Sequence, residues 1–133
     1  MYVDAEYGDI VTEVAAELKD SMSVAIGAGV SQDRIIVDPG IGFAKRAADS
    51  YRVLAHLPNL AALLGRPLLA GPSRKSFMSG ALDNRPAHER DWGTAAAVTA
   101  AVLAGAHIVR VHAVGAMAQV VRVAEEIRSE WIG

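Results

Sequence analysis

Apolar residues recur at Ile10, Val11, Val14, Leu18, Met22 and Ala25, while Glu13, Glu17 and Lys19 fall mostly between them. This spacing lines the apolar set along one face, so Asp9 to Ala28 is predicted to be an amphipathic helix, with Gly27 and Gly29 marking its stop. The period then changes. Arg34-Ile35-Ile36-Val37 is a short β-branched run closed by Asp38-Pro39-Gly40, the pattern of a strand ending on a carboxylate. A second helix is predicted from Ala48 to Leu64, broken at Pro58, with Leu54, Leu57 and Leu60 facing the core. Pro67 to Ala70 reads as a second strand that stops at Gly71-Pro72, and Ser73-Arg74-Lys75-Ser76-Phe77 reads as the mouth of a following helix.

Leu82 to Asp91 is polar and rich in turn formers, which predicts an exposed, mobile loop. Thr94 to Ala104 is small and apolar on nearly every face, the mark of a helix packed on two sides or at a subunit interface. His107 to His112 is the third predicted strand. Gly115 to Trp131 closes the chain as a helix with the stripe Met117, Val120, Val121, Ala124, Ile127 and Trp131. The order is a leading helix and then strand and helix three times, with enough chain between strands for right-handed crossovers in a parallel sheet. That is an α/β chain. Periodicity leaves open whether the sheet is doubly wound or part of a barrel.

Composition narrows the partners. The chain has 133 residues, of which 52% are hydrophobic and 21% charged, the profile of one soluble globular domain. Its 13 Lys and Arg against 15 Asp and Glu give a net charge of -2, so no overall basic field exists to hold a nucleic acid or an anionic membrane. Any anion site must be local. Without cysteine there is no disulfide framework, thiolate nucleophile or cysteine metal site, and a cytoplasmic location is expected. Met1 to Glu6 shows no secretory leader, and the apolar tract Ala95 to Ala106 falls short of the roughly 20 residues of a bilayer span.

Chemistry collects at the strand ends: Asp38 after the first, Ser73, Arg74 and Lys75 after the second, Arg110 and His112 in the third. In parallel α/β sheets that edge carries the site. Arg110 and His112, two apart on a strand, project to one face, where a guanidinium fork and an imidazole can grip one phosphate with Lys75 adding a point charge. Taken singly, His112 reads equally as a core histidine and Arg110 as one half of a rim ion pair. Asp38 can accept two hydrogen bonds from the edge of a guanidine-like heterocycle or can cap the turn at Pro39-Gly40. Gly40 and Gly42 permit close approach of a ligand, and Phe43 can wall an aromatic ring or plug a loop. The four histidines show no metal-ligand spacing.

Three stretches in order resemble the later motifs of one family, the dihydropteroate synthases. They are Asp38-Pro39-Gly40-Ile41-Gly42-Phe43-Ala44-Lys45, then Gly71-Pro72-Ser73-Arg74-Lys75-Ser76-Phe77, then Gly93-Thr94-Ala95-Ala96-Ala97 with Ile108-Val109-Arg110-Val111-His112. Tyr7-Gly8-Asp9-Ile10-Val11 also resembles the family segment ahead of them. The resemblance implies that residues 1–133 form the C-terminal portion of a (β/α)8 TIM barrel, about three βα units plus a leading helix, as one partial pterin-binding domain. It implies a transferase that condenses p-aminobenzoate with 6-hydroxymethyl-7,8-dihydropterin pyrophosphate in folate biosynthesis, assisted by Mg2+ whose ligand is not in this chain. It further implies a homodimer through the Thr94–Ala104 and C-terminal helices, and sulfonamides as ligands. By matching position, Asp38 and Lys75 would hold the pterin ring, with Gly42 beside them, and Arg110 with His112 the pyrophosphate. Phe43, Ser73 and Arg74 would border the p-aminobenzoate side. Lys75, Arg110 and His112 are the expected catalytic set.

Two positions depart from the family pattern. Ala113 stands where an Asp commonly follows the His, and Asp49-Ser50 stands where His-Asn is usual. The first removes a carboxylate that could orient His112, and the second adds one near an anion site. Both favour an alternative reading, a non-catalytic homologue serving as a binding or regulatory protein. A complete barrel takes about 250 residues, so a start inside a longer reading frame is expected, and the 133-residue chain by itself is expected to be inactive.

Overall fold

The computed structural model describes residues 9–131. Helix α1 (Ile10–Gly27) begins where Asp9 turns its carboxylate back to accept hydrogen bonds from the amides of Val11 and Thr12, at 3.1 and 3.3 Å, and from the Thr12 hydroxyl at 2.6 Å. Two residues past its end Gly29, at φ of 105°, lets the chain reverse, so that the Gly29 and Val30 amides donate to the carbonyls of Ile26 and Ala25. The Asp9 carboxyl is held below its ordinary 3.8, first by the Thr12 hydroxyl. A depressed carboxylate stabilises the fold above its unfolded pKa and loses that contribution as pH falls through the folded value. Acidification below 3.8 is therefore expected to fray the first turn, read as faster hydrogen exchange at the Val11 and Thr12 amides. Asp9→Ala should show that fast exchange already at neutral pH; unchanged protection in the variant would remove the cap from the account.

The region predicted as one helix broken at Pro58 is two, α2 (Ala47–Ala55) and α3 (Leu57–Leu64). The break lies at His56, and Pro58 sits in the first turn of α3, where its missing amide hydrogen costs nothing. Strand β1 (Leu69–Ala70) pairs in parallel with β2 (Ile108–Val109), Leu69 opposite Ile108 and Ala70 opposite Val109. Flanking backbone bonds from His107 to Leu68 and from Arg110 to Ala70 lengthen the pairing at both ends. The run predicted as a strand over 34–37 pairs only at Val37, bridged in parallel to Leu68; Gln32–Arg34 is a 3-10 turn instead. Sequential strands are thus spatial neighbours running the same way, the order of a barrel segment.

Residues Ser73–Phe77 do not open a helix. Arg74 adopts φ of 58°, Lys75 is extended, and only a 3-10 turn (Ser76–Met78) follows. Helix α4 (Asp91–Leu103) starts ahead of the predicted Thr94. The polar stretch over 82–91 is tied rather than free: it contains a 3-10 turn (Ala87–Glu89), and Arg90 donates to the carbonyls of Arg85 and Arg74 at 2.9 and 2.8 Å. Helix α5 (Val114–Ser129) closes the described chain.

Two apolar clusters hold these parts together. Ile10, Val14, Val37, Val53, Leu57, Leu60, Leu68, Ala70, Ala97 and Ala101 join α1–α4 to one face of the strands, while Val98, Val102, Met117 and Ala124 join α4 to α5. The small apolar helix is packed on two sides within one chain. Only part of the predicted α5 stripe is covered, since Ile127 and Trp131 remain exposed. On the other face of the strands Ile36 and Ile108 are exposed, and Asp38 and Arg110 follow them at two-residue spacing on that same face.

Candidate functional site

The strand ends build one wall. Asp38 accepts the Gly40 amide at 2.8 Å, an Asx turn that starts the loop over 38–43 and leaves the carboxylate at the surface. The loop folds back on itself through Gly40 and Gly42, at φ of 72° and 85°, and the Phe43 amide closes it on the Gly40 carbonyl. Its carbonyls are gathered by two lysines. Lys45 donates to Gly40 at 2.9 Å and Phe43 at 3.3 Å, and Lys75, from the neighbouring strand end, donates to Ile41 at 2.7 Å.

Lys75 also lies 4.0 Å from the centroid of the exposed Phe43 ring, a cation–π contact. Its stem runs so close to Gly42 that a Cβ there would stand 2.6 Å from Lys75 Cδ, which is why this position is a glycine. Burial pushes the Lys75 ammonium below its usual pKa; nearby Asp38 opposes that, and Arg110 and Lys45 add to it. Lys45 is lowered by burial as well, against Glu17, Asp38 and Asp49. Asp38, Lys45, Lys75 and Arg110 therefore share one electrostatic neighbourhood. The Arg110 side chain is exposed and forms no hydrogen bond or ion pair among the described residues, which leaves its fork available to an anion.

Ser73 is 3% exposed and lies 2.7 Å from His112 Nδ1, and its Oγ accepts the His112 amide at 3.1 Å, so the ends of β1 and β2 are joined through this side chain. Arg74 points elsewhere. Its guanidinium grips both carboxylate oxygens of Asp91 at 2.8 and 3.0 Å, its amide donates to Thr94 Oγ1 at 2.9 Å, and Arg90 donates to its carbonyl. The fork-to-fork pair lowers the Asp91 carboxyl and raises the Arg74 guanidinium.

Of the candidates named from the sequence, Asp38, Gly42, Phe43, Lys75 and Arg110 gather on one side of this wall and Ser73 with His112 joins the strand ends on the other, while the Arg74 guanidinium turns away to Asp91. Sequence reasoning missed Lys45, Ser50, Asp91 and Thr94 as supports. Ser50, fully buried, accepts the Gly42 amide at 3.0 Å and so carries the loop from below. Asp49 beside it is buried and directed to Arg52 at 3.0 Å. For Ser50 the signal lay only in the buried face of α2, and for Asp91 and Thr94 in the polar start of α4.

The donors here suit anions and polar heterocycles. A divalent cation such as Mg2+ needs several oxygen ligands, whereas this wall offers ammonium, guanidinium and imidazole with one Asp, and no group of three or more His, Cys, Asp or Glu is gathered among the described residues. The described residues therefore offer no all-protein cage for that ion.

A family profile described as pterin binding enzyme matches residues 1–112. The dihydropteroate synthase of Synechocystis is 47% identical over 122 residues, covering 92% of this chain and 42% of its own length. The chain thus spans less than half of that relative. Among solved structures, the Xanthomonas albilineans dihydropteroate synthase in complex with 7,8-dihydropteroate superposes with a TM-score of 0.87 at 37% identity, covering 93% of this chain and 47% of that one. The Yersinia pestis dihydropteroate synthase with a sulfonamide drug gives 0.88 at 34% identity, covering 95% and 45%. The fold is that of a partial (β/α)8 barrel. The chain belongs to the pterin-binding enzyme family, among relatives that are dihydropteroate synthases.

Proposed function

We propose that this chain supplies the pterin-pyrophosphate wall of a dihydropteroate synthase. The observation that carries this reading is the convergence of charge from three strand ends: Asp38, Lys75 and the unpaired Arg110 lie in one neighbourhood on the open face. Asp38 accepts the ring N–H and amino hydrogens of the pterin, and Lys75 donates to the ring from the opposite edge. Arg110 and His112 hold the pyrophosphate. As the methylene C–O bond breaks, both electrons leave with pyrophosphate, and the cations stabilise that charge. The arylamine nitrogen of p-aminobenzoate then forms the C–N bond and loses a proton. No residue need become covalently attached, so positioning and charge carry the catalysis. Arg74, held by Asp91 through both oxygens, offers the second substrate a fixed edge rather than a free fork.

Further parts of the reading rest on the relatives. Sulfonamides are taken to occupy the p-aminobenzoate side near Ser73, Arg74 and Phe43, supported by the Yersinia pestis synthase having been solved with such a drug. A homodimer is supported by the exposed Trp92, Val123, Ile127 and Trp131 around α4 and α5. A cytoplasmic setting suits folate chemistry; no helix among the described residues is long and apolar enough to cross a membrane. Any Mg2+ would be held by residues outside this wall.

Calorimetric titration tests the reading. The chain should bind 6-hydroxymethyl-7,8-dihydropterin pyrophosphate saturably, and Asp38→Ala should weaken that binding at least about tenfold, the loss of one or two hydrogen bonds to a charged group. Affinity unchanged in the variant would take Asp38 out of the site.

A further inference from the structure

We propose that Ser73 is a positioning residue that fixes the tautomer and orientation of His112, rather than a group that touches substrate. Ser73 is 3% exposed, and its hydroxyl faces two atoms of one residue, the His112 amide at 3.1 Å and its Nδ1 at 2.7 Å. A serine Oγ has one hydrogen to give and two lone pairs. The amide can only donate, so it occupies one lone pair. If Nδ1 also donated, the hydroxyl would accept twice and its own hydrogen would point at no acceptor, because Ser73 Oγ has no third partner among the described residues. A buried donor left unmade costs more than a hydrogen bond gains. The hydroxyl therefore donates to Nδ1, and the ring proton sits on Nε2.

The consequence lies at the other end of the ring. Nε2–H becomes a donor in the neutral imidazole, held in a fixed direction by a side chain that also grips the His112 backbone. The pair spans 39 residues and couples the end of β1 to the end of β2, so the direction of His112 is set by the packing of the sheet. A neutral donor that needs no proton from solvent suits a phosphate oxygen. This last step rests on the reading of His112 as a pyrophosphate ligand; the assignment of the tautomer does not.

Two measurements on the chain separate these claims. Long-range proton–nitrogen correlation spectra of the imidazoles, recorded where the spectrum itself shows the His112 ring neutral, should show His112 Nδ1 as an unprotonated, hydrogen-bond-accepting nitrogen. Its shift should move in Ser73→Ala, or in Ser73→Cys, a weaker donor of similar size, if the alanine variant does not fold. A protonated Nδ1, or a spectrum unchanged by the substitution, overturns the proposal. Inorganic pyrophosphate is then titrated against four proteins: wild type, Ser73→Ala, His112→Ala and the double variant. Ser73→Ala should weaken binding about five- to tenfold in the wild-type background and not at all beside His112→Ala, the non-additivity of residues acting through one another. Equal losses in both backgrounds overturn the positioning role. If wild type binds no pyrophosphate, the functional reading of His112 fails while the imidazole spectra still decide Ser73.

Discussion

Lys75→Met is expected to lower the affinity for the dihydropterin pyrophosphate by about a hundredfold while leaving the fold intact. The ammonium ties the loop over 38–43 to the β1 end through the Ile41 carbonyl at 2.7 Å and caps the Phe43 ring at 4.0 Å. On the proposed reading Lys75 also gives the bound ligand a charge-assisted hydrogen bond, which contributes about 1.5–3 kcal/mol, and about 2.7 kcal/mol is a hundredfold in affinity. Methionine keeps the apolar stem beside Gly42 but has no donor, so the loop that presents Asp38 loses its cross-link and the pyrophosphate a nearby cation. The sign of the Lys75 shift adds a check. Burial lowers its pKa from 10.5, and a bound pyrophosphate anion favours the charged form, so ligand binding should take up protons as the pH approaches the lowered Lys75 value. Calorimetry in two buffers of different ionisation enthalpy reads that uptake. Wild-type affinity in Lys75→Met would show that the lysine holds the loop only in the unbound protein.

The second large effect falls on the scaffold. Leu60 is wholly buried in α3, within the cluster that joins α1, α3 and the strands. Leu60→Ala removes three carbons from a wholly buried position in this cluster and leaves a cavity there, so a loss of about 3 kcal/mol is expected. Against a typical total of about 5–15 kcal/mol this is a large fraction. Urea unfolding measures it as a lower midpoint with an unchanged slope. A loss below about 1 kcal/mol would mean that α3 is not part of the core.

The sequence carried the helices well because their signal is local. The 3, 4, 7 spacing of α1 and the small residues of α4 predict both the elements and the faces they bury. Strands were legible in place but not in extent, since pairing depends on a neighbour: Val37 is bridged to Leu68, while Ile36 beside it faces solvent. Ser73–Phe77 misled for a different reason. Arg74 takes the left-handed conformation without being glycine, held there by Thr94, Arg90 and Asp91, all remote in the chain. The placement of Asp38, Lys75 and Arg110 at strand ends was legible because the residues that close an apolar run mark the edge of a parallel sheet; the roles given to them belong to the proposal.

Their supports were not legible, since Ser50 under Gly42 and Ser73 against His112 are pairs fixed only by the fold. The two departures from the family pattern also read differently with the fold in view. Asp49 is buried and turned to Arg52, and Ser50 sustains the Gly42 loop. His112, followed by Ala113 at the uncapped start of α5, takes its orientation from Ser73 instead.

The claim at the centre of this account is that one wall, built from three strand ends, receives the pterin pyrophosphate. A crystal structure of the chain with 6-hydroxymethyl-7,8-dihydropterin pyrophosphate measures it most directly. The expected result is the pterin edge on Asp38 and Lys75 with the pyrophosphate on Arg110 and His112 Nε2. A ligand seated elsewhere, for example in the apolar cavity of about 350 Å³ between Tyr51, Leu54, Met78 and Ala97, would contradict it.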